Sequence, residues 1–188
     1  MTGKMDEESR KISKLMQTGD VAVLCERGLK HTLDRWVQRT KRWHHVLLYL
    51  GNGKALEVTP RKGCHISELN LSRKRCMQFK IMRNDKISAA TKKKLTENAA
   101  RLFLGKKFAS RQIWRIILFR YLRLRKKEAM LNKEHKIESR RVICSNMPAM
   151  SYYTIGVLLN EAYKPEYVMP KDYEDVPGFR TIMERNYG

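Results

Sequence analysis

The sequence predicts an α+β fold, a small antiparallel sheet or open barrel packed against helices, on three observations. An apolar strand, His45-Val46-Leu47-Leu48-Tyr49-Leu50, runs into Gly51-Asn52-Gly53 and leaves through a second strand starting at Lys54. Glycine and asparagine tolerate positive φ, so this is a strong hairpin signal. Apolar residues at three- and four-residue spacing recur on both sides of the hairpin. A cysteine, Cys144, opens a late helix, where unpaired N–H groups and the positive end of the dipole lie.

The elements follow in order. Ile12, Leu15 and Met16 have helical spacing and give an N-terminal helix within residues 1–17, ending before Gly19. Thr18-Gly19-Asp20 turns into a short apolar strand, Val21 to Leu24. Leu29, Leu33, Trp36 and Val37 imply a helix between residues 29 and 43. After the hairpin, Ile66, Leu69 and Leu71, then Met77, Phe79 and Ile81, alternate as one or two further strands. Ser88 caps a helix that runs to Leu104 and stops at Gly105. From residue 145 a last helix carries Tyr152, Ile155, Val157, Leu158 and Leu159, with Pro148 tolerated in its first turn.

At 188 residues the chain has the length of a single domain spanning 1–188, with a 42% hydrophobic content that supports a core. Forty Lys and Arg against nineteen Asp and Glu give a formal charge of +21, which selects for polyanionic partners and repels cations. The basic character is concentrated in residues 98–127, which hold ten Lys or Arg and no acid, interleaved with Ile113, Trp114, Phe119 and Tyr121. This basic, partly helical stretch within residues 106–140 has three readings: an anionic membrane surface, single-stranded nucleic acid, or a helix covering the core with its arginines extended to solvent. Its apolar runs are too short to span a bilayer.

Four cysteines without a Cys-x-x-Cys pair, and without metal spacing to the five histidines, exclude a stapled secreted scaffold and a zinc module. Neither a metal nor a cofactor is expected. The polar start, Met1 to Arg10, lacks the apolar run of a signal peptide, so a reducing, cytoplasmic address is the default expectation, with membrane-surface or virion association left open.

A thiol becomes a strong nucleophile when an imidazole and a helix dipole favour its thiolate, so Cys144 and His45 form a candidate pair for acyl chemistry. Histidine suits the general base and acid roles. His44 competes with His45, because neighbouring strand residues point to opposite faces. Glu57 is the candidate for orienting the imidazole, and the hairpin decides whether it can. A three-residue loop at 51–53 pairs residue 47 with 57 and puts Glu57 on the face of His45 as a diagonal neighbour. A two-residue turn at Asn52-Gly53 puts Glu57 opposite Leu48 on the other face.

Six segments in order resemble a known family: Gly19-Asp20, His45 to Gly51, Glu57, Leu104-Gly105-Lys106-Lys107-Phe108, Ile143-Cys144-Ser145, and Met169-Pro170-Lys171-Asp172 followed by Pro177-Gly178. They are similar to the circularly permuted NlpC-type branch of the papain-like hydrolases, in particular the YiiX-like proteins. The resemblance implies a permuted papain-like fold in which His45 precedes the nucleophile Cys144, a change of connectivity that leaves the spatial roles of a triad intact. It selects His45 over His44, because the family pattern has valine directly after the histidine. It also implies a hydrolase or acyltransferase acting on a peptide, a peptidoglycan peptide or an acyl-lipid through an acyl-enzyme at Cys144. The competing reading is a catalytically degenerate basic scaffold that binds nucleic acid or an anionic membrane. Two departures bear on the substrate: Asn146 stands where the family usually has Glu, and Phe108-Ala109 where it often has Tyr-Asp. Cys25, Cys64, Cys76, His31, His65 and His135 are assigned structural or surface roles.

Overall fold

Six strands form one open antiparallel sheet in the order β4-β3-β2-β1-β5-β8 in the computed structural model, which describes residues 5–26, 43–72, 74–116, 141–161 and 163–187. The strands are β1 (Val21–Glu26), β2 (His45–Gly51), β3 (Lys54–Thr59), β4 (Gly63–Glu68), β5 (Cys76–Asn84) and β8 (Phe179–Asn186). A separate parallel pair joins β6 (Lys107–Phe108) to β7 (Arg141–Val142). Among the described residues four α-helices accompany them: α1 (Glu7–Ser13), α2 (Ala89–Phe103), α3 (Ser110–Ile116) and α4 (Asn146–Tyr153).

The central strands are buried on both faces, which is why β2 reads as a continuous apolar run rather than an alternation. Val46 and Leu48 pack with Leu95, Ala99 and Phe103 of α2 and with Met147, Met150 and Tyr152 of α4. On the opposite face Leu47 and Tyr49 meet Ile12 of α1, together with Leu69, Leu71 and Phe79. Helices α1 and α2 are therefore each fixed by one buried face, whereas α4 is buried all round from Asn146 to Tyr152.

Local chemistry sets the helix ends. Asp6 caps α1 by accepting from the Ser9 N–H at 2.9 Å, with Glu7 and Glu8 in the first turn and Arg10 and Lys11 in the last, each complementing the dipole. Ser88 caps α2, and Gly105 at φ 79° follows its end, both as expected. Helix α4 ends at Tyr153, earlier than the apolar pattern through Leu159 implies, and the chain reverses through Gly156 at φ 79°.

The segment from Cys64 to Arg83 resolves into two strands, β4 and β5. β8 carried no sequence signal: most of its residues are exposed, so no alternation marks it, and it is held by its ladder with β5. The helix expected between residues 29 and 43 lies outside the described residues apart from Trp43, which is buried in the core. In the basic stretch, Ile116 is buried and Ile113 partly buried in a small cluster with Ala109, Ile143, Tyr167 and Met169. Residues 117–140 lie outside the described residues. Among the described residues no helix is long and apolar enough to cross a membrane.

Candidate functional site

The hairpin settles where Glu57 points. Asn52 (φ 52°) and Gly53 (φ 70°) form a two-residue turn with positive φ at both positions, and Gly51 pairs with Lys54. Such a turn on its own would face Glu57 away from His45. A bulge between Tyr49 and Gly51 shifts the register by one residue, so Leu47 pairs with Glu57 after all. The His45 Nε2 then lies 3.0 Å from the Glu57 Oε2, and both side chains are buried. Both alternatives read from the sequence were half right: the turn has two residues, and the pairing is that of the three-residue loop.

Cys144 reaches the same end of β2 from the other part of the chain. The Ala109 N–H donates to the Val142 carbonyl at 3.0 Å, and β6 pairs with β7, so the strap leading to Cys144 is tied to the strand after α2. Beyond it, the Ser145 hydroxyl donates to the Val168 carbonyl at 2.8 Å, and the Tyr173 hydroxyl donates to the Ser145 carbonyl. Asn146 accepts from the Ile143 N–H at 2.9 Å and donates to the Glu166 carbonyl at 3.3 Å. The residue that departs from the family pattern is thus a brace for the turn. Pro148 takes the third position of α4, inside the first turn where proline costs nothing.

The Cys144 Sγ lies 3.9 Å from the His44 carbonyl oxygen, which brings the sulfur beside the His45 imidazole. Because Nε2 is engaged by Glu57, Nδ1 is the ring nitrogen left for Cys144. Burial alone would depress the His45 pKa, yet hydrogen bonds to Cys144 and Glu57 raise it to about 10, so the imidazolium is favoured at neutral pH. Burial would raise the Glu57 pKa, but the His45 hydrogen bond and the Arg75 charge hold its carboxyl well below the usual range. Cys144 is partly exposed, whereas Cys25, Cys64 and Cys76 are buried. Burial pushes the Cys64 and Cys76 thiols up to about 12, which makes them poor thiolates near neutrality.

Sequence reasoning missed the surroundings of Glu57. The Arg75 Nη2 donates to the Glu57 Oε2 at 2.8 Å, and its Nε donates to the Glu26 Oε1 at 2.6 Å. His65, expected to be structural or at the surface, places Nε2 3.6 Å from the Glu57 Oε1, with Nδ1 3.0 Å from the Gly63 carbonyl. The register exposes this in hindsight, since His65 pairs directly with Glu57 across β3 and β4. Arg75 carried no local signal. Asp20, by contrast, belongs to the frame: Arg83 grips both its oxygens at 2.9 and 2.8 Å, and the Gln17 N–H adds a third bond at 2.8 Å.

A cavity of about 920 Å³ lies elsewhere, between the end of α1, the β2–β3 turn and the start of α2, where Lys14, Lys92 and Lys93 line it with Met5, Met16 and Tyr49. None of the three candidate residues contributes to it.

No family model and no curated protein matches the chain. Among solved structures it is similar to one described as metalloprotein yiiX from Escherichia coli O157:H7, DUF1105, with a TM-score of 0.60 and 15% identity over 90% of this chain and 97% of that one. At that identity the likeness establishes a shared α+β fold with a YiiX protein. The name of that neighbour raises the question of a metal. Among the described residues no group of three or more His, Cys, Asp and Glu side chains is arranged to hold one. Glu57, the central acid, already faces the cationic Arg75, so the donor set does not fit a metal site.

Proposed function

We propose that this chain is a cysteine-nucleophile hydrolase or acyltransferase, of peptidase, amidase or lipid-acyl type, on a permuted papain-like scaffold of the YiiX-like branch. The observation that carries the reading is the convergence of a partly exposed Cys144, the buried His45 and the buried Glu57 on one strand end, from positions 144, 45 and 57. The YiiX-like fold supports it.

In the proposed reaction the Cys144 sulfur attacks the substrate carbonyl carbon while the carbonyl π electrons move onto oxygen. Backbone N–H groups at the start of α4 supply the simplest oxyanion donors. The adduct collapses, the bond to the leaving nitrogen or oxygen breaks, and the His45 Nδ1–H proton passes to the leaving group. A thioester remains on Cys144. Water or an acceptor hydroxyl then gives its proton to Nδ1, adds to the thioester carbonyl, and expels the thiolate. Glu57 keeps the proton on Nε2 throughout, so Nδ1 is free to accept and return the mobile one.

The test uses the pattern of cysteine burial. Iodoacetamide near pH 6 labels Cys144 ahead of Cys25, Cys64 and Cys76, read by peptide mass spectrometry, and equal labelling of all four argues against the reading. Cys144→Ala abolishes turnover of acyl nitrophenyl esters and dipeptide amides by orders of magnitude with the fold intact. The formal charge of +21 favours the second reading, a degenerate scaffold binding an anionic partner. In that case binding falls steeply with salt and Cys144→Ala leaves it unchanged.

A further inference from the structure

We infer that Arg75 is a positioning residue of the site, clamping the Glu57 carboxylate so that the His45 ring stays in the tautomer able to serve Cys144. The inference rests on the reading of Cys144 as nucleophile and deepens it. Three observations carry it. Arg75 sits in the turn before β5, its N–H bonded to the Ser72 carbonyl at 3.0 Å, so its backbone is fixed. Its guanidinium bridges two strands, with Nε 2.6 Å from Glu26 at the end of β1 and Nη2 2.8 Å from Glu57 on β3. The Glu57 Oε2 that accepts from Arg75 is the same oxygen that meets His45 Nε2 at 3.0 Å.

The chemistry follows from the inventory of donors. A guanidinium only donates, in a rigid planar fork, and is never deprotonated. Facing it, the Glu57 oxygen is an acceptor only, and His45 Nε2 must then carry its proton. That leaves Nδ1 unprotonated in the neutral ring, able to take the thiol proton. If the buried Glu57 were protonated, it could donate to Nε2. The neutral ring would then carry its proton on Nδ1, aimed at the sulfur, and Cys144 would have no base. Glu26 holds the far side of the fork, so the guanidinium does not rotate away. Imidazolium, Glu57, Arg75 and Glu26 thus alternate in charge along one line that starts beside the sulfur. Among the described residues, the other groups facing this line include His65, 3.6 Å from the Glu57 Oε1, the buried thiols of Cys76 and Cys25 near Arg75, and the buried Tyr173 near Cys144.

A bridge that merely pinned β1 to β3 would lower stability and nothing else, so the test reads proton positions in the folded protein. In Arg75→Gln, the pH profile of Cys144 alkylation by iodoacetamide shifts upward by about one unit or more, slowing labelling at pH 6 about tenfold. The ¹⁵N shifts of His45 near neutral pH move from the doubly protonated imidazolium of the parent toward the neutral Nδ1–H form. Arg75→Lys, which keeps the charge and loses the fork, lies between the two. Glu26→Gln, which leaves Arg75 in place without its second anchor, shifts the profile in the same direction by less, and serves if Arg75→Gln fails to fold. Alkylation profiles and ¹⁵N shifts of folded variants that superimpose on the parent overturn the clamp alone. A parent whose Cys144 reacts at pH 6 no faster than an ordinary thiol overturns the nucleophile reading and the clamp with it.

Discussion

At the scale of single residues the site is a chain of compensated charges, and compensation makes it pH-dependent. His45 rises from an ordinary 6.5 to about 10, because hydrogen bonds to Cys144 and Glu57 outweigh its burial. A raised pKa stabilises the fold fully below pH 6.5, and that contribution is lost as pH rises through about 10. Glu57 is displaced the other way from its ordinary 4.5, by His45 and Arg75 against its burial. Its contribution is present above 4.5 and is lost as pH falls through its depressed folded value. The two windows overlap between 4.5 and 6.5. Glu57→Gln is therefore expected to cost about 1.5–3 kcal/mol in that window, the range for a hydrogen bond to a charged group. Urea midpoints measured from pH 4 to 11 show the gap between parent and variant narrowing toward the alkaline end. A gap independent of pH would mean that the His45–Glu57 contact carries no charge pairing.

At the scale of elements, the legible part was whatever a few neighbouring residues encode. The β2–β3 hairpin, the Ser88 cap and the Gly105 stop were readable because turn and cap chemistry is local. The bulge at Leu50 was not, since it answers to packing on both faces of β2. Nor was Arg75, one of forty basic residues, whose partners stand 49 and 18 positions away. The β6–β7 pair, only two residues per strand, is equally silent in sequence, and β4 meets the segment entering β6 by an approach that only glycine permits. Cys64 N–H donates to the Lys106 carbonyl at 2.8 Å and Gly105 N–H to the Cys64 carbonyl at 2.9 Å, so β4 and the segment entering β6 nearly touch. A Cβ on Gly63, at φ 68°, would overlap the Lys106 carbonyl oxygen. Gly63→Ala is accordingly expected to lose about 2–4 kcal/mol, left-handed strain plus disturbed hydrogen bonds. Gly105→Ala is the control: its φ is 79°, and nothing lies within 4 Å of its Cβ, so it pays the strain alone. Equal urea midpoints for the two variants would show that the contact at Gly63 yields without cost.

At the scale of the molecule the dominant fact is charge. Forty basic against nineteen acidic residues leave the folded chain repelling itself at neutral pH, a cost that grows as charges are brought together. Some surface pairs oppose this, such as Lys11 with Glu7 at 2.9 Å and Arg180 with Asp85 at 2.7 Å, but their side chains are largely exposed and they contribute little. Two pairs, Arg75 with Glu57 at the site and Arg83 with Asp20 in the frame, have buried acids and are screened far less by salt. Salt therefore weakens mainly the repulsion. Going from about 0.01 M to 0.15 M sodium chloride shortens the screening length from about 30 Å to about 8 Å, and the urea midpoint is expected to rise. A midpoint that falls would mean that attractive surface pairs outweigh the excess positive charge. Sodium sulfate at matched ionic strength separates two origins of the effect. Equal gains from chloride and sulfate indicate screening alone, whereas a larger gain at low sulfate concentration indicates anions held at particular places on this basic surface.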